Sequence, residues 1–316
     1  MRAIGIDIGG SSVKFTAVDA NDKILKHFAI PTDTTQSAAA FAAQLAVAVN
    51  MLKAGFKDKN IALGVGLPGD TDHQKGILRW APNIPWRNFK IKALLEMTTG
   101  CRCFVSNDAN MAAWGVHAKE LKYKYQNIIV ITLGTGVGGG LVIDGKLYNG
   151  AMGAAGEIGH TKIDFSPRAP LCGCGNRGCL EAYCGAAGIR RAALRAARKE
   201  PRSALAGLIK KEGFSVKILS AAARAGDKTA LALWHDVGVN LGRGLANMIL
   251  MLNPQAVVLA GGVSRGAEYF QGAIKKVFSA QSVKTPFENV NLLISREEDI
   301  GAAGAALYAA AKADEK

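Results

Sequence analysis

Between Glu157 and Cys184 the chain reads EIGHTKIDFSPRAPLCGCGNRGCLEAYC. One imidazole, His160, and three thiols, Cys172, Cys174 and Cys179, form the kind of donor set that encloses a structural zinc ion in a four-coordinate shell. Gly173, Gly175 and Gly178 allow the tight turns that let the thiolates converge. Disulfides or bare thiols are the alternatives, but closely spaced cysteines set among glycines and preceded by a histidine favour metal ligation. Glu157 and Glu181 flank the ligands, and a metal that fixed this segment would hold both carboxylates ready to grip the hydroxyl groups of a small polar ligand. Cys101, Cys103 and Cys184 read as small buried hydrophobes, the first two sharing the buried face of a strand.

A second kind of chemistry lies in the glycine-rich turns. GIDIGGSSVKFTAVD near the start aligns with VITLGTGVGGGLVID from Val130 to Asp144, each an apolar strand, a glycine turn and another strand. The echo implies two related halves, each offering a loop of backbone N–H groups to phosphate. Asp7, on the strand before the first loop, can hold Mg²⁺ while both loops approach a nucleotide. A third turn, Gly261-Gly262-Val263-Ser264, suits an adenine or ribose edge, or is an ordinary strand-to-helix turn. Asp108 stands where a strand gives way to a helix; ligands collect beyond the carboxyl ends of strands in open α/β sheets, which makes it a catalytic carboxylate or, more simply, an N-cap.

The elements that must position these residues alternate between strand and helix. Strands are expected over Ala3–Asp7, Lys14–Val18, Ile61–Gly66, Arg102–Ser106, Ala256–Ala260 and Val290–Ser295. Helices are expected over Ser37–Ala54, with Thr34 and Thr35 as caps, and over Lys92–Thr99, Ala186–Glu212, Val216–Ala225, Asp236–Leu252, Tyr269–Phe278 and Ala302–Lys312. Gly238, Gly242 and Gly244 allow close helix packing. The stretch holding Gly76, Pro82, Asn83, Pro85 and Trp86 reads as a functional loop.

A chain of 316 residues with 49% hydrophobic content can bury a large core and suits two domains. No signal-peptide pattern opens it and its longest apolar run is too short to span a bilayer, so a cytoplasmic protein is expected. The net charge of +14 favours polyanionic partners. Arg191, Arg195, Arg198 and Arg202 recur at helical spacing as a solvated basic face, without the aromatic-interleaved groove of a nucleic-acid binder.

Taken together, DIGGSSVK at 7–14, LPGD at 67–70, NDAN at 107–110, LGTGVGGG at 133–140, EIGH at 157–160 and CGCGNRGCLEAY at 172–183 resemble the ROK family of repressors, open-reading-frame products and sugar kinases. The resemblance covers nearly the whole chain. It implies an α/β fold of two ribonuclease-H-like domains, of the actin and hexokinase ATPase type, around a cleft. The first domain would span 1–118 and 300–316 and carry the first phosphate loop and the catalytic Asp; the second would span 119–299. The resemblance further implies that Asp108 is the general base, that Asn107, Glu157, His160 and Glu181 bind sugar, and that Asn83 is a further sugar-side residue. One nitrogen of His160 would bind zinc while the other faces the sugar. Gly9, Gly10, Ser11, Ser12 and Lys14, with Gly134, Thr135, Gly136 and Gly138, would hold the phosphates of ATP, joined by Gly261 and Gly262. Ser11 stands where the family generally has Thr, which keeps the hydroxyl.

The implied reaction is phosphoryl transfer from ATP to the C6 hydroxyl of a hexose, with glucose preferred over N-acetylhexosamines, mannose or allose. The implied cofactors are ATP, catalytic Mg²⁺ and structural Zn²⁺. The expected partners are the hexose, ATP and a second copy of the chain in a homodimer. Polyphosphate is a rival donor, and a sugar-sensing regulator a rival of another class. Such a regulator would need a DNA-binding segment ahead of Asp7, and neither nucleic acid nor membrane is expected as a partner.

Overall fold

The computed structural model describes residues 2–54, 60–81, 83–297 and 299–315, so that Pro82 of the turn-rich stretch lies outside the described residues. The chain forms two compact units, Met1–Val130 with Gly140–Gly156 and Glu297–Lys316, and Ile131–Gly139 with Glu157–Arg296.

The first unit is built on β1 (Arg2–Ile8), β2 (Ser12–Val18), β3 (Ile24–Pro31), α1 (Ala38–Lys53) and β4 (Ile61–Leu67). The short hairpin β5 (Asp70–Asp72) and β6 (Ile77–Trp80) follows, then α2 (Ile91–Thr99), β7 (Cys103–Asn107) and α3 (Asp108–Gly115), which widens into a π-helical turn over Val116–Glu120. Its sheet has the order β3-β2-β1-β4-β7, with β1 antiparallel to β2 and parallel to β4. Because strand side chains alternate, Ile4, Ile6 and Ile8 of β1 enter one core with Phe15, Phe41, Leu45, Leu63 and Val65. Ala3 and Ala62 face the other way, toward Met111, Trp114 and Ala305.

That second face is covered by the last helix. The remaining elements in chain order are β8 (Ile128–Leu133), β9 (Val137–Ile143), β10 (Lys146–Leu147), α4 (Glu181–Cys184), α5 (Ala186–Lys199), α6 (Ala204–Glu212), α7 (Val216–Arg224), α8 (Lys228–Leu252), β11 (Ala256–Ala260), α9 (Ala267–Ser279), α10 (Thr285–Glu288), β12 (Asn291–Ile294) and α11 (Ile300–Asp314). Helix α11 returns to β1 and β4 at backbone contact, as expected from the family resemblance. A Cβ added at Gly64 would stand 1.8 Å from the Ala305 carbonyl oxygen.

The second sheet has the order β10-β9-β8-β11-β12. Counted in its own chain order each five-stranded sheet reads 3-2-1-4-5, and in each the glycine turn joins the first strand to the second. The repeat legible in the glycine-rich segments is therefore a repeat of topology. No helix among the described residues is long and apolar enough to cross a membrane.

Several boundaries differ from those expected. Helix α1 is capped by Ser37, whose Oγ accepts the Ala40 N–H; Thr35 is instead held by Asp33. The helix expected over Ala186–Glu212 is two helices, α5 and α6. Pro201 lacks the N–H that continuation requires, and Ser203 caps the second, its Oγ accepting from Ala206. Helix α8 begins eight residues earlier than Asp236, at Lys228, under an Asp227 cap. Gly238 does lie against Phe270 and Gly244 against Leu180, as close packing demanded.

Gly64→Ala is expected to destabilise the protein by about 1–3 kcal/mol through overpacking against α11. A lower urea midpoint measures this, and an unchanged midpoint would contradict the contact between α11 and β4.

Candidate active site

In the first unit, Asp7 shares its strand face with Ala3 and Gly5, the face that meets α11. A Cβ at Gly301 would stand 2.6 Å from Asp7 Oδ2, so the start of α11 packs directly on the carboxylate. Burial raises its carboxyl to about 6, against the opposing effect of Lys14 and with a smaller contribution from Asp299. Lys14 is the cross-strand neighbour of Asp7, and its ammonium pairs with Asp299. The other Asp299 oxygen lies 3.4 Å from His27 Nε2. One protein carboxylate at the end of a strand fits Mg²⁺, which commonly takes its other ligands from substrate phosphates and water.

The first glycine turn is held by its own backbone and by Thr32, the residue after β3. Gly9 N–H donates to the Ser12 carbonyl at 3.0 Å, the Thr32 hydroxyl donates to the Gly9 carbonyl at 2.7 Å, and Thr32 N–H donates to that of Ser11 at 3.1 Å. Gly10 and Ser11 are exposed, and Ser12 is half-buried. A Cβ at Gly10 would stand 3.3 Å from that of Asn83, so the structure brings Asn83 to this loop.

At the carboxyl end of β7, Asn107 and Asp108 open helix α3 side by side. Asn107 is the N-cap of α3: its Oδ1 accepts the Ala109 N–H at 2.9 Å while its amide donates to the Gly69 carbonyl at 3.2 Å. The LPGD turn is thereby tied to the strand end. Asp108 occupies the first helical position, with Oδ1 2.8 Å from the same N–H. The capping explanation for a polar residue here is met by Asn107.

In the second unit, the Gly134–Gly136 turn closes on itself, Gly134 N–H donating to the Gly136 carbonyl at 3.0 Å. Thr135 lies within this turn and Gly138 follows on β9. Gly261 takes φ +91°, the left-handed region that favours glycine, and a Cβ there would stand 2.5 Å from the Leu133 carbonyl oxygen. The third glycine turn therefore abuts the second, and added Cβ atoms at Gly134 and Gly262 would meet open space. Ser264 hydroxyl closes the third turn onto the Gly261 carbonyl at 2.7 Å.

Nearby in the same unit, the donor atoms of His160, Cys172, Cys174 and Cys179 all lie within 4.8 Å of one another. Cys174 Sγ is 3.8 Å from Cys179 Sγ, and Cys172 Sγ is 3.7 Å from His160 Nδ1. A tetrahedral zinc ion with bonds of about 2.3 Å to sulfur and slightly shorter ones to nitrogen requires such separations. Burial pushes the Cys172 thiol up to about 12, an effect that a cation opposes. His160 turns Nδ1 toward the thiols and Nε2 toward Glu157, 3.9 Å from its Oε2. The side chains of both Glu157 and His160 are exposed at 57% and 39%, open to a ligand.

Glu181 is less simply a free grip. Its Oε2 accepts the Val137 N–H at 3.0 Å, and its Oε1 accepts the Cys172 thiol at 3.3 Å. Cys101, Cys103 and Cys184 are buried and all six cysteines are free. The basic residues of α5 are exposed; Arg191 also donates to the Ala182 carbonyl at 3.2 Å.

Sequence reasoning missed Asp299, the partner of Lys14, which lies 285 positions away and carries no local signal. It also gave no role to Gly159, where a Cβ would stand 2.0 Å from the Val137 carbonyl oxygen. The glycine inside EIGH was the available signal.

The model of the ROK family matches residues 3–312. A glucokinase of Halalkalibacterium halodurans is 36% identical over 89% of this chain and 86% of its own length. The N-acetylglucosamine repressor of Escherichia coli is 28% identical over 96% of this chain and 74% of the repressor. Among solved structures, a ROK family glucokinase from Streptomyces griseus in complex with glucose and AMPPNP is 33% identical, with a TM-score of 0.83 over 98% of this chain and all of that one. With its two sheets of one topology, its glycine turns and its histidine and cysteine cluster, the chain belongs to the ROK family.

Proposed function

We propose that the protein is an ATP-dependent hexokinase that phosphorylates the C6 hydroxyl of glucose, with Asp108 as the general base. The observation that carries this reading is at the end of β7, where Asn107 caps α3 and ties down the LPGD turn, and the Asp108 carboxylate follows at the first helical position. The likeness to glucokinases, one of them solved with glucose and AMPPNP, supports glucose and ATP as the substrates.

Phosphoryl transfer depends on positioning and charge stabilisation more than on covalent chemistry. Asp108 accepts the proton of the attacking hydroxyl as its oxygen bonds to phosphorus. Asn107 holds the strand end to the LPGD turn and fixes where Asp108 begins its helix. Asn83, which lies beside the first glycine turn, would contact the sugar. Glu157 and His160 Nε2 accept or donate to sugar hydroxyls, with Glu181 beside them. Gly9 to Ser12, with Lys14, and Gly134 to Gly138 approach the phosphates, while Gly261 and Gly262 meet the nucleoside. Asp7 would hold Mg²⁺, which supplies positive charge to the transferring group. His160, Cys172, Cys174 and Cys179 would hold Zn²⁺ as scaffolding for the sugar-binding residues. Free thiols in this number suit the reducing conditions of a cytoplasm.

Asp108→Asn is expected to keep glucose binding, measured by calorimetry, and to lose turnover by about 10²–10⁴-fold. Near-normal turnover in a coupled assay would remove Asp108 from the mechanism. Elemental analysis is expected to find zinc in the purified protein, and Cys174→Ser to release it with a rise in the KM for glucose. Absence of zinc from the wild type would end the metal reading. Across glucose, mannose, allose and N-acetylhexosamines, kcat/KM is expected to be highest for glucose with ATP. The exposed arginines of α5 make polyphosphate the donor to compare, and a higher kcat/KM with polyphosphate would reverse the choice of donor.

A further inference from the structure

We propose that Glu181 is a positioning residue for the nucleotide loop, a strut through which the cysteine cluster sets the backbone of Gly134 to Val137. The inference rests on the reading that this loop meets ATP phosphates, and it assigns Glu181 a task beyond the sugar contact expected of it.

Four contacts within the second unit converge on this short loop. Glu181 stands two residues after Cys179 of the cluster, and its Oε2 accepts the Val137 N–H at 3.0 Å; its Oε1 accepts the Cys172 thiol at 3.3 Å, a contact that ends when a metal makes that sulfur a thiolate. The fit beneath it is tight, because a Cβ at Gly136 would stand 2.2 Å from Oε2. Ala186 N–H, at the start of α5, donates to the Gly134 carbonyl at 2.9 Å. On its other side the loop is met by the EIGH turn, through Gly159 against the Val137 carbonyl.

The cluster is drawn from these same segments. His160 adjoins Gly159, and Cys179 lies two residues before Glu181. An ion that draws His160, Cys172, Cys174 and Cys179 together therefore fixes both walls between which the loop lies. A backbone N–H held by a side-chain oxygen keeps its peptide in one orientation. Losing it frees the loop to turn its N–H groups away from a phosphate, which weakens nucleotide binding whether or not sugar is present.

The test is titration with AMPPNP in the absence of sugar, followed by calorimetry, on the full chain loaded with zinc and after removal of zinc by a chelator. Glu181→Ala is expected to weaken AMPPNP binding roughly tenfold, the scale of one lost hydrogen bond to a charged group. Glu181→Gln keeps an acceptor oxygen for Val137 and is expected to stay within about threefold of the wild type. Chelation is expected to weaken AMPPNP binding of the wild type and to add little to the loss already present in Glu181→Ala. Circular dichroism and thermal melts of each sample confirm that the fold persists. Glucose affinity, measured separately, does not enter this comparison.

Gly134→Ala separates the two premises, because its Cβ meets open protein space and disturbs only what approaches the loop from outside. Loss of AMPPNP binding in Gly134→Ala together with wild-type binding in Glu181→Ala overturns the strut and leaves the loop assignment standing. Wild-type AMPPNP binding in Gly134→Ala overturns the assignment of the loop to nucleotide, and the proposal with it. Equal losses in Glu181→Ala and Glu181→Gln would assign the effect to the charge and overturn the role given to the Val137 hydrogen bond.

Discussion

The approach of α11 to β1 and β4 constrains the whole first unit. At this distance a side chain on Gly5 or Gly64 would occupy the same space as the helix backbone, so the sheet and helix meet main chain to main chain. The contact delivers residues from the far end of the sequence to the start of the first glycine turn. Gly301 reaches the Asp7 carboxylate and Asp299 reaches Lys14. The raised carboxyl of Asp7 is a product of that burial, which no property of the strand itself would generate.

The second unit solves the equivalent problem by other means. Its glycine turn is held by side-chain and backbone contacts from the segment that carries the cysteines, together with the Gly261 turn. Two sheets of one topology thus present similar loops with different supports: a returning helix at Asp7, and the Glu181 carboxylate at Val137. The difference follows from residue type. Asp7 stands on a strand face that a helix of small residues can cover, while Val137 offers an N–H that needs a polar acceptor.

Much of this was legible in the sequence because it is local. The strand, glycine turn, strand pattern marks both hairpins, and the spacing of His160, Cys172, Cys174 and Cys179 by itself points to their convergence. Strand Ala256–Ala260 matches β11 residue for residue, an apolar run bounded by Asn253-Pro254 and Gly261-Gly262. Other errors were local too. Pro201 and Ser203 carried the signal that divides α5 from α6, and Ser37 outcompeted the threonines because Asp33 had already engaged Thr35. What local pattern could not supply were pairings across long separations. Lys14 with Asp299, and Glu181 with Val137, depend on which elements pack together, and no periodicity encodes them.

The placement of α11 also bears on how the chain is made. Every strand of both sheets precedes this helix in the sequence, yet the first sheet needs it to cover Ala3 and Ala62. During synthesis most of the second unit therefore emerges from the ribosome before the first can be finished, and one face of the earliest sheet has only α3 to cover it until α11 arrives. A chain arranged in this way completes its first-made part last, and its window for misassociation lasts as long as translation itself.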